Sequence, residues 1–392
     1  MSLDSSEISK NFNWKRILIS IVIGLSVAGY LLYSNLTEVR YQKVEFGTGS
    51  YSWQDTNGNE KVDLTDENEF ILSEKGEYKK NSYKDVLASV NWTTYTILWL
   101  LLACLMMVLR DVFYMIRIRV LTDKKLSWKQ SFRVIMMWEF ASALTPGVVG
   151  GAAVAMFILK REKIPLGKST AIVVITALMD NLFYIISIPI ILLFVGANEF
   201  FPVGTKTFLG FDLNLASLFW FAYTMVVLLA TFLVLGIFVW PHFFKKILSV
   251  LFSLPLLKRW KHKALKTGDD IILASKEFKS KNVSFWLKTF GATYGSWTSR
   301  FLVINCVIMA FVNTGLHEHF LIYARELGMW IIMIISPTPG GSGIAEYAFT
   351  EFLWMYIPVG ASGLLAIVWR LISYYPYLII GPLIMPKWLK SK

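Results

Sequence analysis

The chain has 392 residues, of which 55% are hydrophobic and 17% charged, and its mean hydropathy is +0.52. This composition excludes an ordinary soluble protein and is typical of a chain that lies largely within a lipid bilayer. The formal net charge of +12 comes from Lys and Arg residues that cluster at the ends of apolar runs. Basic loops of this kind lie on the cytoplasmic side of membranes, so the charge does not indicate a nucleic-acid partner.

The first segment, residues 1–34, contains an apolar run that follows Lys10, Lys15 and Arg16. The run, residues 17–33, is long enough to cross a bilayer, and the basic residues before it predict a cytoplasmic amino end. Because no small-residue cleavage site follows, we interpret the segment as a retained signal-anchor.

Residues 35–88 are polar and acidic, alternate in hydropathy over short stretches and contain the turn signal Asn57-Gly58. Such a segment predicts a small extracytoplasmic domain that contains strands. Its acidic loop partly resembles a calcium loop, but Glu60 stands where a turn glycine is needed, so a solvated acidic loop is the better interpretation. The weak calcium candidates are Asp55, Asn57, Asn59, Asp63 and Asp66.

A first membrane repeat, residues 89–240, opens with the apolar run 90–109, which predicts a span that ends in the cytoplasm at a basic stretch. The next run, residues 135–159, has basic residues at both ends and is broken at Pro146-Gly147. Proline and glycine interrupt helices, and both flanks favour the cytoplasm, so we predict a re-entrant hairpin that enters from inside. The basic stretch comprises Arg110, Arg117, Arg119, Lys124, Lys125, Lys129 and Arg133.

Two further apolar runs, residues 169–195 and 215–240, predict two more spans, after which the chain is again in the cytoplasm. Residues 241–283 then carry many Lys residues among Phe and Leu. We expect this segment to be a cytoplasmic amphipathic connector that lies against the anionic leaflet.

A second membrane repeat, residues 284–392, mirrors the first. Residues 285–313 and 364–385 predict spans, and the apolar run between them is broken at 336–343. With about six full spans, both termini are cytoplasmic and the second hairpin enters from outside. The predicted fold class is therefore an all-α polytopic membrane protein in which two opposed re-entrant hairpins form an inverted repeat, an architecture of transporters.

Three short motifs, one at each break and one after the second break, combine Pro and Gly with charged residues. The first is Thr145-Pro146-Gly147 through Gly150-Gly151, followed by Leu159-Lys160, with Ala152 between them. The second is Pro337-Thr-Pro339-Gly340-Gly341-Ser-Gly343-Ile-Ala-Glu346. The third is Arg370-Leu-Ile-Ser-Tyr-Tyr-Pro376, with Gly381 downstream.

These motifs resemble the transmembrane region of lysylphosphatidylglycerol synthetase/flippase proteins and their stand-alone relatives. The likeness covers about residues 90–385, although Ala152 stands where many members carry an acidic residue. The resemblance implies movement of a membrane lipid. No aminoacyl-transferase domain follows Lys392, so the synthetase activity of two-domain members is not expected here.

Ionisable residues inside apolar runs are functional candidates, because an unpaired charge in lipid is costly. Glycine amides at the breaks can bind a phosphate, and an arginine would add a bidentate contact. For Glu346, in the first turn after the second break, we keep two interpretations: a fixed partner of Arg300 or Arg370, or a carboxylate that switches during transport. The candidate substrate-binding residues are Thr145, Pro146, Gly147, Gly150, Gly151, Thr338, Pro339, Gly340, Gly341, Ser342, Gly343, Glu346, Arg300, Arg370, Asp180 and Glu139.

Three functions were weighed against these features. The first is a flippase-like translocator in the cell (inner) membrane that moves a phospholipid or polyprenyl-linked head group between leaflets. A membrane-embedded enzyme would need a catalytic set, and all four His residues lie outside the apolar centres. A scaffold would not need paired breaks or buried charges. We therefore expect a transporter whose partner is a membrane lipid and which uses no cofactor, and a homo-oligomer is compatible with the sequence.

Cysteine labels test the two predicted hairpins. Labels that replace Lys129 and Lys163 should react only from the cytoplasm, and labels at His317 and Gly360 only from outside, because each pair flanks one hairpin. The measurement is reaction with an impermeant thiol reagent in vesicles of either orientation, in a background without native cysteines. Opposite sides within either pair would contradict the inverted repeat.

Overall fold

The computed structural model describes residues 39–56, 58, 62, 66–82, 92–145, 147–201, 206–208, 211–213, 215–253, 261–312, 315–334, 344–357 and 361–390. Three predicted features lie outside these residues: the first span at 17–33, Pro146 at the first break, and the second break at 336–343. Thr338, Pro339, Gly340, Gly341, Ser342 and Gly343 therefore stay predictions, and of Glu346 only the backbone is described.

Four antiparallel strands form a small sheet in the segment predicted to be the outer domain: β1 (Val39–Lys43), β2 (Gly49–Trp53), β3 (Phe70–Gly76) and β4 (Tyr78–Ser82). The spatial order is β1-β4-β2-β3. The rings of Tyr41, Phe70 and Tyr78 form its buried core, with Tyr41 stacked on Phe70 at 3.9 Å between centroids. Strands thus occur where the alternation predicted them, while the location outside the cytoplasm stays a prediction.

The acidic loop of this sheet uses its carboxylates in local turns. Asp55 accepts a hydrogen bond from the backbone N–H of Gly58 at 2.7 Å, and Asp66 accepts one from that of Asn68 at 2.9 Å. Such side-chain contacts are typical of turns. No set of three His, Cys, Asp or Glu side chains within the described residues could hold a metal, and the other calcium candidates, Asn57, Asn59 and Asp63, lie outside them.

Helices make up most of the remaining described chain, with a short hairpin of β5 (Lys206–Phe208) and β6 (Phe211–Leu213) between two of them. A π-helical turn, Leu235–Val239, continues the sixth helix. The helices are α1 (Thr94–Leu121), α2 (Trp128–Leu144), α3 (Gly147–Arg161), α4 (Leu166–Val195), α5 (Ala197–Phe200), α6 (Leu215–Val234), α7 (Pro241–Leu251), α8 (Lys261–Lys279), α9 (Val283–Phe311), α10 (Leu316–Ile334), α11 (Ile344–Leu353), α12 (Ser362–Ser373) and α13 (Tyr375–Lys390).

Four described segments are long and apolar enough to cross a membrane: α1, α4, α6, and residues 364–385 across α12 and α13. α9 has 29 residues, about 43 Å at 1.5 Å per residue, so it also has the length of a span. The protein is therefore a mainly helical, multi-pass membrane protein. The predicted total of six spans includes residues 17–33, which are not among those described.

α2 and α3 form an antiparallel hairpin around the first break. The start of α2 contacts the residue after α3: Arg133 forms a salt bridge with Glu162 at 3.2 Å, and Gln130 Nε2 donates to Glu162 Oε2 at 2.9 Å. Close to the break, Gly151 allows the two backbones to approach, since a Cβ there would lie 2.2 Å from Ser142 Oγ. The start of α2 and the end of α3, which both lie far from the break, therefore meet.

α10 and α11 pack against each other on either side of the second break. Arg325 Nη1, near the middle of α10, donates to the backbone carbonyl of Phe352 at 3.1 Å, close to the end of α11. One turn further, a Cβ on Gly328 would lie 2.9 Å from the ring of Phe352. The middle of α10 therefore meets the end of α11.

The contact between α1 and α9 is the most extensive helix pair in the described chain. Gly295 of α9 permits a close approach, because a Cβ there would lie 2.8 Å from the ring of Phe113. Ser296 Oγ donates to the backbone carbonyl of Arg110 at 3.2 Å. Close packing and interhelical hydrogen bonds are the contacts that hold helices together in lipid. The first helices of the two predicted repeats thus pack against each other.

The first span of this pair extends beyond its predicted end. We predicted a span over residues 90–109 with Arg110 and Arg117 in the cytoplasmic basic stretch, but α1 continues to Leu121 and both arginines are buried, Arg110 with 1% of its surface exposed. The predicted end at residue 109 was wrong because a hydropathy scale counts every arginine as unfavourable in a membrane, whatever its partners are. Carboxylates on other helices neutralise these two, as described below.

Four charged side chains join the predicted connector to the membrane helices, and we call them the charged clasp. Lys168, in the first turn of α4, contacts Asp123 at 2.6 Å and also Glu277 near the end of α8. Lys281 contacts the same Asp123 at 2.6 Å. The clasp thus ties the end of α8 to the loop after α1 and to the start of α4.

The pKa of Asp123 lies below its ordinary value. Partial burial, the largest single effect, raises this pKa, but hydrogen bonds from Lys168 and Lys281 together outweigh burial and lower it. A carboxylate with a depressed folded-state pKa stabilises the fold above its unfolded pKa of about 3.9 and loses that contribution as the pH falls through the folded pKa.

We expect Asp123→Asn to lower the free energy of unfolding by about 0.5–1 kcal/mol at neutral pH, the range for partly exposed ion pairs. The difference from the parent should shrink as the pH falls from about 3.9 through the lower folded-state pKa of Asp123, because Asp123 of the parent becomes protonated there. Thermal unfolding in detergent over a pH series measures this. Asp269→Asn, which removes an exposed partner of Lys245 within the connector, is the control and should change stability less. Equal stability of Asp123→Asn and the parent at every pH would contradict the clasp.

Candidate functional site

A cavity of about 380 Å³ lies among the membrane helices of both repeats. α1 to α4 contribute from the first repeat, with one residue from α6, and α9, α10, α12 and α13 contribute from the second. The lining is Tyr114, Arg117, Ile118, Ile135, Trp138, Glu139, Ser142, Ala143, Thr145, Ala152, Val173, Thr176, Ala177, Asp180, Asn181, Tyr184, Leu229, Trp297, Arg300, Trp330, Met333, Ile334, Trp369, Arg370, Ser373, Tyr374 and Tyr377.

Residues that flank the two predicted breaks line this cavity. They are Thr145, the residue before Pro146, and Ile334, the last described residue before the second break. The last turn of α2 is held in place from the other end of the chain, because Tyr374 Oη donates to the backbone carbonyl of Ala143 at 3.0 Å. The cavity therefore lies between the end of α2 and the end of α10.

The cavity collects five of the predicted site residues: Glu139, Thr145, Asp180, Arg300 and Arg370. Gly147 and Gly150 belong to the first turn of α3, and Gly151 packs on Ser142 and does not line the cavity. A role of any of these residues in substrate binding stays a prediction.

Glu139 of α2 is a shared partner of two arginines. Its Oε2 lies 2.8 Å from Nη2 of Arg110 and 3.9 Å from Nη2 of Arg300. Arg110 also contacts Asp111 at 2.8 Å and donates to Tyr377 Oη at 2.6 Å. α1, α2, α9 and α13 thus converge on one polar cluster.

A second cluster joins α1, α4 and α9. Arg117 Nη1 lies 2.5 Å from Oδ1 of Asp180, which also accepts a hydrogen bond from Trp297 Nε1 at 2.9 Å. Tyr114 separates the two clusters, with Arg110 and Arg117 over its ring at 4.3 and 4.4 Å from the centroid. Cation–π contacts of this kind are favourable where water is excluded.

Arg300 and Arg370 lie against aromatic rings at the cavity wall. The guanidinium of Arg300 is 4.7 Å from the ring centroid of Trp330, and that of Arg370 is 4.5 Å from that of Tyr374. Among the described residues, the only carboxylate that contacts Arg300 is that of Glu139, at 3.9 Å. The rings hold both guanidinium groups at the cavity in fixed places.

The described lining offers an arginine with a long carboxylate contact and several hydrogen-bond donors. Glu139 lies 2.8 Å from Arg110 but 3.9 Å from Arg300, so its charge is shared and is closer to Arg110. Within the part of the chain that is described, Thr176 Oγ1, Tyr184 Oη and Trp330 Nε1 are buried and have no hydrogen-bond partner. Buried polar atoms of this kind normally bind water or a ligand. The site is therefore suited to a small polar group with negative charge.

Sequence reasoning missed two residues of this site, Arg110 and Arg117. A signal was present, because Arg110, Tyr114 and Arg117 are spaced by four and three residues, which places them on one face of a helix. Cytoplasmic flanking residues have no reason to share a face. The prediction that Arg110 and Arg117 form the cytoplasmic flank of a span did not account for that spacing.

Breaking the second cluster should show how far the bundle depends on it. We expect Asp180→Asn to reduce stability by about 3–5 kcal/mol, because it leaves Arg117 buried without an anionic partner. The double variant Arg117→Met/Asp180→Leu should recover most of this loss, since an apolar pair needs no neutralisation. Denaturation in mixed micelles measures both, with the exposed Glu199→Gln as control. A double variant as unstable as Asp180→Asn would contradict the pairing.

Comparison with known proteins identifies the membrane region. Residues 81–381 match the family described as "Lysylphosphatidylglycerol synthase TM region". The chain is also 22% identical over 307 residues to a UPF0104 membrane protein of Archaeoglobus fulgidus, which covers 76% of this chain and 87% of that relative. No solved structure matches. The matched region contains every residue that lines the cavity, and the chain belongs to the lysylphosphatidylglycerol synthase transmembrane-region family.

Proposed function

We propose that this protein is a lipid translocator that takes an anionic lipid head group into the cavity while the acyl chains stay in the bilayer. The observation that carries the proposal is that Thr145 and Ile334, at the two helix breaks, border the same cavity. Paired interrupted helices around a shared site are typical of secondary transporters. The proposed reaction is movement between leaflets, with no bond made or broken.

Helix lengths support re-entrant hairpins. α2 and α3 have 17 and 15 residues, so they are about 26 and 23 Å long, shorter than a hydrocarbon core of about 30 Å. Their far ends meet at Glu162, which favours entry and exit on one face. α11 is shorter still, with 10 residues. We propose the opposed arrangement that the sequence predicts, in the cell (inner) membrane, with both termini in the cytoplasm.

The charge of the cavity supports an anionic head group. Glu139 lies 2.8 Å from Arg110 but 3.9 Å from Arg300, so a phosphodiester would give Arg300 a closer anionic partner. The family name includes a lipid with a lysyl group, but an aminoacylated head group of net positive charge would add positive charge beside Arg300. We therefore propose a phospholipid or polyprenyl-linked phosphate as the substrate class.

Leu229 of α6 supports a lateral opening toward lipid. This residue lines the cavity, yet 48% of its side-chain surface is exposed, and its neighbour Leu228 is exposed as well. Exposed apolar side chains on a membrane helix contact acyl chains. A head group in the cavity could therefore stay attached to chains that lie beside α6.

Reconstituted vesicles with fluorescent phosphatidylglycerol test the proposal. We expect the protein to accelerate exchange of the probe between leaflets, and Arg300→Gln to slow it at least about tenfold, because a hydrogen bond to a charged group contributes about 1.5–3 kcal/mol. Loss of probe fluorescence after reduction of the outer leaflet measures the rate.

Arg119→Gln is the matched control, because Arg119 belongs to α1 but does not line the cavity. It should exchange the probe at the parent's rate. A parent rate equal to that of protein-free vesicles, for this probe and for a polyprenyl phosphate, would contradict translocation. Equal rates for Arg300→Gln and Arg119→Gln would contradict head-group binding in the cavity.

A further inference from the structure

Glu326, in the middle of α10, is a buried carboxyl group that the proposed site does not use. None of its surface is exposed. Its Oε2 has no hydrogen-bond partner in the described chain, and its Oε1 only accepts a long contact from Asn305 Nδ2 at 3.5 Å. An ionised carboxylate without a cation is very unfavourable in such surroundings, and the protonated form is the one that they favour.

The groups around Glu326 do not supply a compensating charge. The titratable side chains that interact with it electrostatically are Cys306 of α9 and Tyr323 of its own helix, and both are neutral in their ordinary form. α4, α5, α6 and α11 also pack on α10, yet no charged side chain on the described parts of these helices, Glu199 of α5 included, interacts with Glu326. Among the described residues, therefore, no cation neutralises Glu326, and a proton would.

A polar path leads from Glu326 to one end of the bundle. Asn305 of α9 bridges Glu326 and His319, whose Nδ1 lies 2.9 Å from Asn305 Oδ1. His319 is in the first turns of α10, is only partly buried and stacks on Trp99 at 6.4 Å between centroids. With His319 Nδ1–H donating to Asn305, and Asn305 donating to Oε1, the acidic proton of Glu326 would lie on Oε2.

A second path leads from Glu326 to the cavity. Trp330 follows Glu326 by one helical turn, so the two side chains share a face of α10. The Nε1 atom of Trp330 is a buried donor without a hydrogen-bond partner among the described residues. The guanidinium group of Arg300 lies 4.7 Å from the centroid of the Trp330 ring. The carboxyl group therefore lies between a titratable residue at the bundle end and an arginine of the cavity.

We propose that Glu326 is a proton-binding site that exchanges its proton by way of His319. In the transfer, His319 takes up a proton from the aqueous phase at Nε2, its Nδ1–H bond breaks, and an O–H bond forms on the Glu326 carboxylate after Asn305 rotates away, so His319 ends neutral and one proton has moved from water to Glu326. Coupling of this proton to the cavity, through Trp330 and Arg300, rests on the proposed translocation. The proton site itself does not.

Infrared spectroscopy of the full-length protein in lipid tests the site directly. The parent should show the carbonyl band of a protonated carboxylic acid at neutral pH, and Glu326→Gln should lack it while remaining folded, because the amide resembles the neutral acid. Glu326→Asp should restore a band at a shifted position. An unchanged band in Glu326→Gln, or no such band in the parent, would overturn the proposal.

The route is tested by the exchange of that band in heavy water. His319→Gln should slow the deuterium shift of the Glu326 band severalfold, whereas His317→Gln, an exposed neighbour in the same turn, should not. Equal exchange rates in the two variants would overturn the role of His319.

Coupling is tested in vesicles with a transmembrane pH gradient and fluorescent phosphatidylglycerol. The gradient should bias the parent's exchange toward one leaflet and leave Glu326→Gln unbiased. A parent that moves the probe without bias would overturn coupling. A parent that moves no probe while its infrared band titrates would contradict the translocation and leave the proton site standing.

Discussion

A charge in the interior of a membrane protein needs an opposite charge or a proton nearby, and this constraint determines how the helices of this protein meet. Arg110 and Arg300, from different repeats, converge on Glu139 of α2. Arg117 of α1 meets Asp180 of α4. Lipid supplies no hydrophobic drive for one helix to bind another, so these polar contacts, together with close approaches such as the one at Gly295, set the arrangement of the bundle.

The same constraint gives the cavity its chemistry. Glu139 lies closer to Arg110 than to Arg300, whose contact with it is 3.9 Å long, and aromatic rings hold Arg300 and Arg370 at the wall. A fully neutralised cluster would hold the helices together but offer nothing to a ligand. Arg300, beside donors such as Tyr184 Oη that have no partner among the described residues, creates a place for an anion. The structural pairs and the proposed head-group site are thus parts of one network.

Glu326 is the opposite case, a negative group without a cation among the described residues. Among these residues it accepts one hydrogen bond, from Asn305 at 3.5 Å, and Arg325 beside it donates to backbone carbonyls of other elements, including that of Phe352. Neighbours in sequence on a helix point about 100° apart, so adjacency along the chain does not create an ion pair. Glu326 and Trp330 lie on the same face of α10, and the ring of Trp330 contacts Arg300 at the cavity.

The sequence by itself determined the membrane class, most of the described spans, the first break between α2 and α3, and Glu139, Asp180, Arg300 and Arg370 as charges within apolar runs, because hydropathy, Pro and Gly act locally along the chain. It did not determine the end of α1, the partners of Arg110 and Arg117, or the isolation of Glu326. Those depend on side chains that the fold brings together from far apart, such as Arg117 and Asp180. A hydropathy pattern assigns each charge the same cost, whereas tertiary structure decides which charges are neutralised, and therefore which arginines end a helix and which lie inside it.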